Sequence, residues 1–282
     1  MEKKPASVQH FTFHRILTGC ERGDRNAWQA FLSGYTPIIL NLISTYFPKW
    51  SGETKMGHWQ DTLDRLKAND CERLRALDHQ AEREFLIDLR SVSFELAAAK
   101  LDRADDVSAS SPPTFEAIVA LFNNLPLSHQ EIIILKLSGY SDPTIEQMLL
   151  LPSSAIQKAL LPIAAHYAVA LGRSVDACLW PAAWQEILAE ARKARKPECP
   201  QPRIFVRILE GHISWYEKTP AEEHMARCLH CLEYWVALRE VNFLRRELQP
   251  HSPIEIETLL GHVCPGALAV TERSWVQRIF SR

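Results

Sequence analysis

The chain has 282 residues, 46% of them hydrophobic and 23% charged, and a formal net charge of -2. That length suffices for two or three small cores, the near-neutral charge gives the whole molecule no electrostatic drive toward nucleic acid, and no uninterrupted apolar run reaches the roughly 18 residues of a membrane helix. Abundant Ala, Leu, Glu and Arg, with neither alternating strand patterns nor a glycine-rich phosphate loop, predict an all-α protein. An odd set of seven cysteines behind an opening without an apolar segment predicts reduced thiols in the cytoplasm and no membrane association.

Residues 10–103 read as the first helical domain. Gly23-Asp24 is a stop followed by a cap, and the next helix carries Ala27, Trp28, Phe31, Ile38, Ile39, Leu42 and Ile43 on its apolar side. Tyr35-Thr36-Pro37 is expected to interrupt that helix and Pro48 to end it. A further helix is expected from Phe85 to Arg103. Residues 104–114 lack apolar periodicity and combine acids, serines and two prolines, so they read as a linker.

Residues 115–175 read as a second helical domain with core positions at Ile118, Phe122, Ile132, Leu135, Ile145, Met148 and Ile156. Leu125-Pro126-Leu127-Ser128 predicts a break with a capping box from Ser128 to Glu131, and further breaks follow at Gly139 and Pro152. Short helices with tight turns at this spacing suggest a helix-turn-helix. Its second helix begins at Ser153, with Ser154, Gln157 and Lys158 on it as candidate DNA contacts. Between Asp105 and Val175, however, six acids face three bases, a balance that opposes binding to a phosphate backbone. Residues 176–198 form a helix ending in Arg192-Lys193-Ala194-Arg195-Lys196, read as a solvated C-terminal end favourable to the helix dipole.

In residues 199–248, the run His224-Met-Ala-Arg-Cys228-Leu-His-Cys231 has spacings of four and three, which return side chains to one helix face. Cys199 lies 25 residues before His224, and a turn near Lys218-Thr219-Pro220, with Thr219 as cap, is expected to bring it back as a fourth ligand. One imidazole and three thiolates make a closed tetrahedral Zn2+ site. A thiol redox pair at Cys228 and Cys231 is the competing reading, and His212, His230 and Cys264 are alternatives for the fourth position. The tail, 249–282, contains one or two short helices through Trp275 and Ile279 without an assigned role.

The succession Gly23-Asp24, Ala27-Trp28, Phe31 and Tyr35-Thr36-Pro37, continued through Leu66 to Asp78, resembles region 2 of the extracytoplasmic-function sigma factors of the sigma-70 family. The pattern Leu125-Pro126, Glu131-Ile132, Leu135, Gly139 and Ser141 resembles sigma region 4. The spacing Cys199, His224, Cys228, Cys231 resembles the zinc-binding anti-sigma domain. Together these resemblances imply a sigma factor that recruits core RNA polymerase to promoter DNA, with Gln60, Asp61 and Arg65 on the polymerase-binding face. They also imply control by the fused zinc domain or a separate anti-sigma partner, and no enzymatic chemistry of the chain's own. A second expectation is a sigma-like adaptor that binds a regulatory protein without reading a promoter. Phe94-Glu95 and Ala99 stand where the family's -10 helix carries Arg-Asn and Asp, and Ala159 and Pro162 where its recognition helix carries arginines.

Overall fold

The computed structural model describes residues 12–77, 81–101, 112, 114–161, 181–247 and 252–265. Among them every regular element is a helix and there is no strand, as the composition led us to expect. Apart from Pro112 and Thr114, the expected linker lies outside the described residues. So do 162–180, with Pro162 and Trp180, and the stretch beyond 265, with Trp275 and Ile279.

Helices α1 (Phe13–Glu21) and α2 (Arg25–Tyr46) form a hairpin. Its turn follows from Gly23, which takes φ 72, and from Asp24, whose carboxylate accepts a hydrogen bond from the Asn26 amide at 2.9 Å. The expected interruption at Pro37 does not occur, and α2 continues through it to Tyr46. An interior proline costs a helix about 3 kcal/mol. Here Pro37 is buried, and the neighbouring Thr36 hydroxyl takes a hydrogen bond from Trp59 Nε1 at 3.1 Å, so tertiary packing outweighs the local penalty.

Helix α3 (Gly52–Ala76) is capped by Ser51 and leaves helical geometry from Ala68 to Cys71, where Asn69, Asp70 and Cys71 all take positive φ. α4 (Glu82–Ala98) begins three residues before the expected Phe85. Phe31, Tyr35 and Phe85 pack edge-on or tilted between α2 and α4, and Tyr46, Phe47 and Phe94 do so one layer further along.

α5 (Phe115–Phe122), α6 (Leu127–Leu137), α7 (Asp142–Leu149) and α8 (153–161) follow one another with short turns. The expected capping box at Ser128 is absent. Pro126 holds the N-cap position, and Glu131 instead reaches Arg239, 2.9 Å away. α9 (Pro181–Lys193) buries Trp184, whose Nε1 donates to Ser138 Oγ at 3.0 Å. Its basic end is only partly solvated, because Arg192 turns inward to Glu233 at 3.4 Å.

The remaining helices are α10 (Pro202–Glu210), α11 (Trp215–Met225), α12 (Leu229–Glu247) and α13 (Pro253–Val263). α12 buries twelve of its 19 residues, more than one apolar stripe provides, because it is packed by α2 and α4, by α6 and α7, and by α9. It is the axis of the molecule, and the buried residues of all these helices join in one hydrophobic cluster. α13, from the tail without an assigned role, starts with a full capping box between Ser252 and Glu255 and lies on α2 and α3.

Candidate metal centre

Cys199 sits in the loop after α9, where its amide bonds to the Lys196 carbonyl and its sulfur accepts the Lys196 amide hydrogen at 3.2 Å. Pro202 at the first turn then starts α10. The turn that brings the chain back differs from the expected one. α11 runs through Pro220, and the reversal lies at Gly211 to Ser214, with Gly211 at φ 71. Arg207 locks that reversal with a two-pronged bond to Glu217 at 2.8 and 3.0 Å and a third to the His212 carbonyl. The two bonds from Arg207, with one from Ser214, hold the pKa of the Glu217 carboxyl at about 2.

His224 lies in the last turn of α11, Cys228 in the turn before α12, and Cys231 in the first turn of α12. The three ligands expected on one helix face are therefore split over a helix end, a turn and a helix start. The same short separations in sequence still bring them together. One ligand atom from each of Cys199, His224, Cys228 and Cys231 falls in a group whose members all lie within 4.8 Å of one another. These four residues are close enough to hold a metal ion.

The three cysteines are buried, Cys231 to 1% exposure, and His224 is half-buried. The Cys199 and Cys228 sulfurs stand 3.8 Å apart. His224 Nε2 is buried without a hydrogen-bond partner, which is the condition of a nitrogen waiting for a cation. Hydrogen bonding from the Cys231 thiol holds Cys228 down to about 4, and the same bond pushes the Cys231 thiol up, so one thiolate is already favoured.

The alternative ligands are otherwise engaged. His230 Nδ1 sits 3.1 Å from both the Ala191 and the Arg192 carbonyl oxygens, closing the end of α9. His212 is exposed beside Glu210. Cys264 caps α13, at the α2 and α3 side of the molecule.

Ser153, Ser154, Gln157 and Lys158 are exposed on α8, and the Ser153 hydroxyl is bonded to Glu146 of α7. Gln60 is half-buried, and Asp61 and Arg65 are exposed on α3, with Asp61 paired to Lys100. α13 covers the adjoining ridge of α3 through His262 to Asp64 and Lys67 to the Val263 carbonyl.

Sequence reasoning missed three side-chain ties around the turn that carries Cys228. Gln130 of α6 donates to the Ala226 carbonyl at 2.9 Å, His230 closes α9, and Arg90 of α4 meets Glu233 at 2.7 Å. The available signal was a pair of glutamates, Glu233 and Glu240, seven residues apart inside the apolar run of α12. Compared with known proteins, the chain matches no family model, no curated protein and no solved structure.

Proposed function

We propose that this chain is a sigma-factor-like transcription protein that recruits core RNA polymerase in the cytoplasm, and that its zinc-holding segment regulates it from within. The observation that carries the reading is the position of α12. It lies between the helices that resemble region 2 (α2 and α4) and those that resemble region 4 (α6 and α7), with two of the metal-ligating cysteines at its start. Zinc is the ion that suits three thiolates and an imidazole in a closed site. Tetrahedral Zn–S bonds of about 2.3 Å set sulfurs roughly 3.8 Å apart, which agrees with the separation of Cys199 and Cys228. The ion would contribute folding energy there and no reaction chemistry, since all four positions are filled by protein.

Regulation in this reading does not work by covering the polymerase-binding residues, because Asp61 and Arg65 remain exposed. It works by holding the region 2-like and region 4-like helices against α12, at a spacing fixed by that helix. Among the described residues no helix is long and apolar enough to cross a membrane.

One observation favours the second reading, an adaptor that reads no promoter. α8 offers Lys158 as its one base over 153–161, and Ser153 is spent on Glu146. A specific duplex complex draws on several Lys or Arg contacts to phosphate. The full chain is therefore expected to bind duplex DNA no better than the nonspecific range of about 10⁻⁴ to 10⁻⁶ M near physiological salt.

Two experiments test the proposal. Capture of the tagged chain from its native cell should bring down core polymerase subunits, and run-off transcription from the promoters it occupies separates sigma factor from adaptor. No polymerase in the capture would end the sigma-factor reading. Elemental analysis should give about one zinc per chain, lost in Cys228→Ser; a metal-free wild-type chain with α10 to α12 folded would end the zinc assignment.

A further inference from the structure

The contact between α12 and the region 2-like helices is built on buried charge. Arg90 is 1% exposed, and its Nη1 meets Glu233 at 2.7 Å while its Nη2 meets Glu240 at 3.0 Å and donates to the Tyr46 hydroxyl at 2.8 Å. Tyr46 in turn donates to the other Glu240 oxygen at 2.7 Å. The guanidinium lies 4.8 Å from the centre of the Phe94 ring, and Glu233 is shared with Arg192. Glu233 and Glu240 are two helical turns apart, so α12 offers both carboxylates to α4 from one face. About a third of the way round α12, the link to α6 is again ionic, Arg239 to Glu131, with Arg239 lying over Trp235.

Such an arrangement is a poor way to make a permanent core. Removing charges from water is costly, and apolar side chains of similar volume hold a buried contact as tightly or more tightly. The charges do change the cost of separation. When the faces part, an arginine and two glutamates regain their hydration, whereas an apolar contact would leave its whole area exposed to water. Charge at a helix contact therefore narrows the gap between the closed and open arrangements.

We infer that the Arg90, Glu233, Glu240 and Tyr46 cluster is a parting surface, at which α12 separates from α2 and α4 while the chain keeps its fold elsewhere. The inference deepens the proposed function, since what parts is the contact between the zinc-holding segment and the sigma-like helices. The opening itself is measured without polymerase.

The test is hydrogen exchange, read by mass spectrometry on the zinc-loaded full chain. In the wild type, α12 and α4 amides should exchange through an opening less costly than the global unfolding that exposes α2. Arg90→Met leaves Glu240 without its cation and Glu233 with Arg192 alone, and should speed exchange of α12 and α4 at least about tenfold, with zinc content unchanged. If that variant fails to fold, Arg90→Lys, which keeps the charge and loses the fork, should give a smaller acceleration. The triple variant Tyr46→Phe, Arg90→Met, Glu240→Leu leaves Glu233 paired with Arg192 and should exchange α12 more slowly than wild type. Wild-type α12 exchanging only by global unfolding, or a triple variant no slower than wild type, overturns the inference. Polymerase capture separates this from the proposed function. The stated exchange pattern without captured polymerase leaves the parting surface standing and removes the sigma reading; captured polymerase with unaltered exchange does the reverse.

Discussion

His58 shows how one buried side chain ties fold to pH. It is 1% exposed on α3, beneath the Trp50 ring, with Nε2 3.0 Å from the Ser93 carbonyl oxygen, to which it donates, and with Nδ1 unpartnered. Burial is the main reason its pKa lies below the ordinary 6.5, and the charge of Lys100 adds to it. The neutral ring is the one that fits the site. In the unfolded chain the ring takes up a proton as the pH falls past 6.5, and in the folded chain it does so only at lower pH. Its contribution to stability is therefore complete above 6.5 and is lost as the pH falls from there through the folded value. A titration of the imidazole resonances should give His58 a midpoint below 6.5, while a midpoint at or above 6.5 would contradict this account of the α3 to α4 contact.

At the scale of elements, local signals in the sequence held where the physics was local. Gly23-Asp24 became a turn and a cap, and the helical period marked Trp28, Phe31, Ile39, Leu42 and Ile43 as core. Prolines misled because their cost is local and the compensation is tertiary: α2 and α11 both run through one. Glu131 looked like a capping residue because Arg239, 108 positions later, was invisible from the sequence alone. The four residues that come close enough to hold a metal were legible as a set although their arrangement was not, since short separations bring side chains together across a turn as well as along a helix. Two substitutions test the element junctions. A Cβ on Gly19 would stand 2.4 Å from Ala27 Cβ, so Gly19→Ala should force α1 off α2 and cost about 1–3 kcal/mol. Leu150, between α7 and α8, takes φ 56 while 87% exposed. Leu150→Gly should relieve that backbone, lose almost no packing and stabilise by about 0.5–1 kcal/mol. Denaturant midpoints measure both, and a neutral Gly19→Ala would mean that the α1 to α2 approach is looser than described.

For the whole molecule, the decisive question is whether the turn carrying the candidate metal ligands is a small module of its own or part of the common core. Within Ala226 to Glu233 the chain accepts a hydrogen bond from Gln130 of α6, closes the end of α9 with His230 and engages Arg90 of α4 through Glu233. These three ties reach helices from three different stretches of the sequence. Leu232 within the same segment, and Trp235, Val236 and Leu238 just after it on α12, are buried in the shared hydrophobic cluster. An ion bound at Cys199, His224, Cys228 and Cys231 thus fixes the start of the helix on which the other helices pack. Metal that binds only the folded chain stabilises whatever unfolds together with its site, by about 4 kcal/mol when its free concentration is a thousand times the dissociation constant. If the turn belongs to the common core, chelating the metal should shift the single main thermal transition of the helical signal downward by several degrees. It should do so equally when followed by the fluorescence of the core tryptophans, among them Trp28 and Trp59 on α2 and α3, remote in sequence from the site. A separate early transition, confined to α10 and α11 and leaving the main one in place, would instead mean that the metal centre melts on its own and that α12 keeps its packing without it.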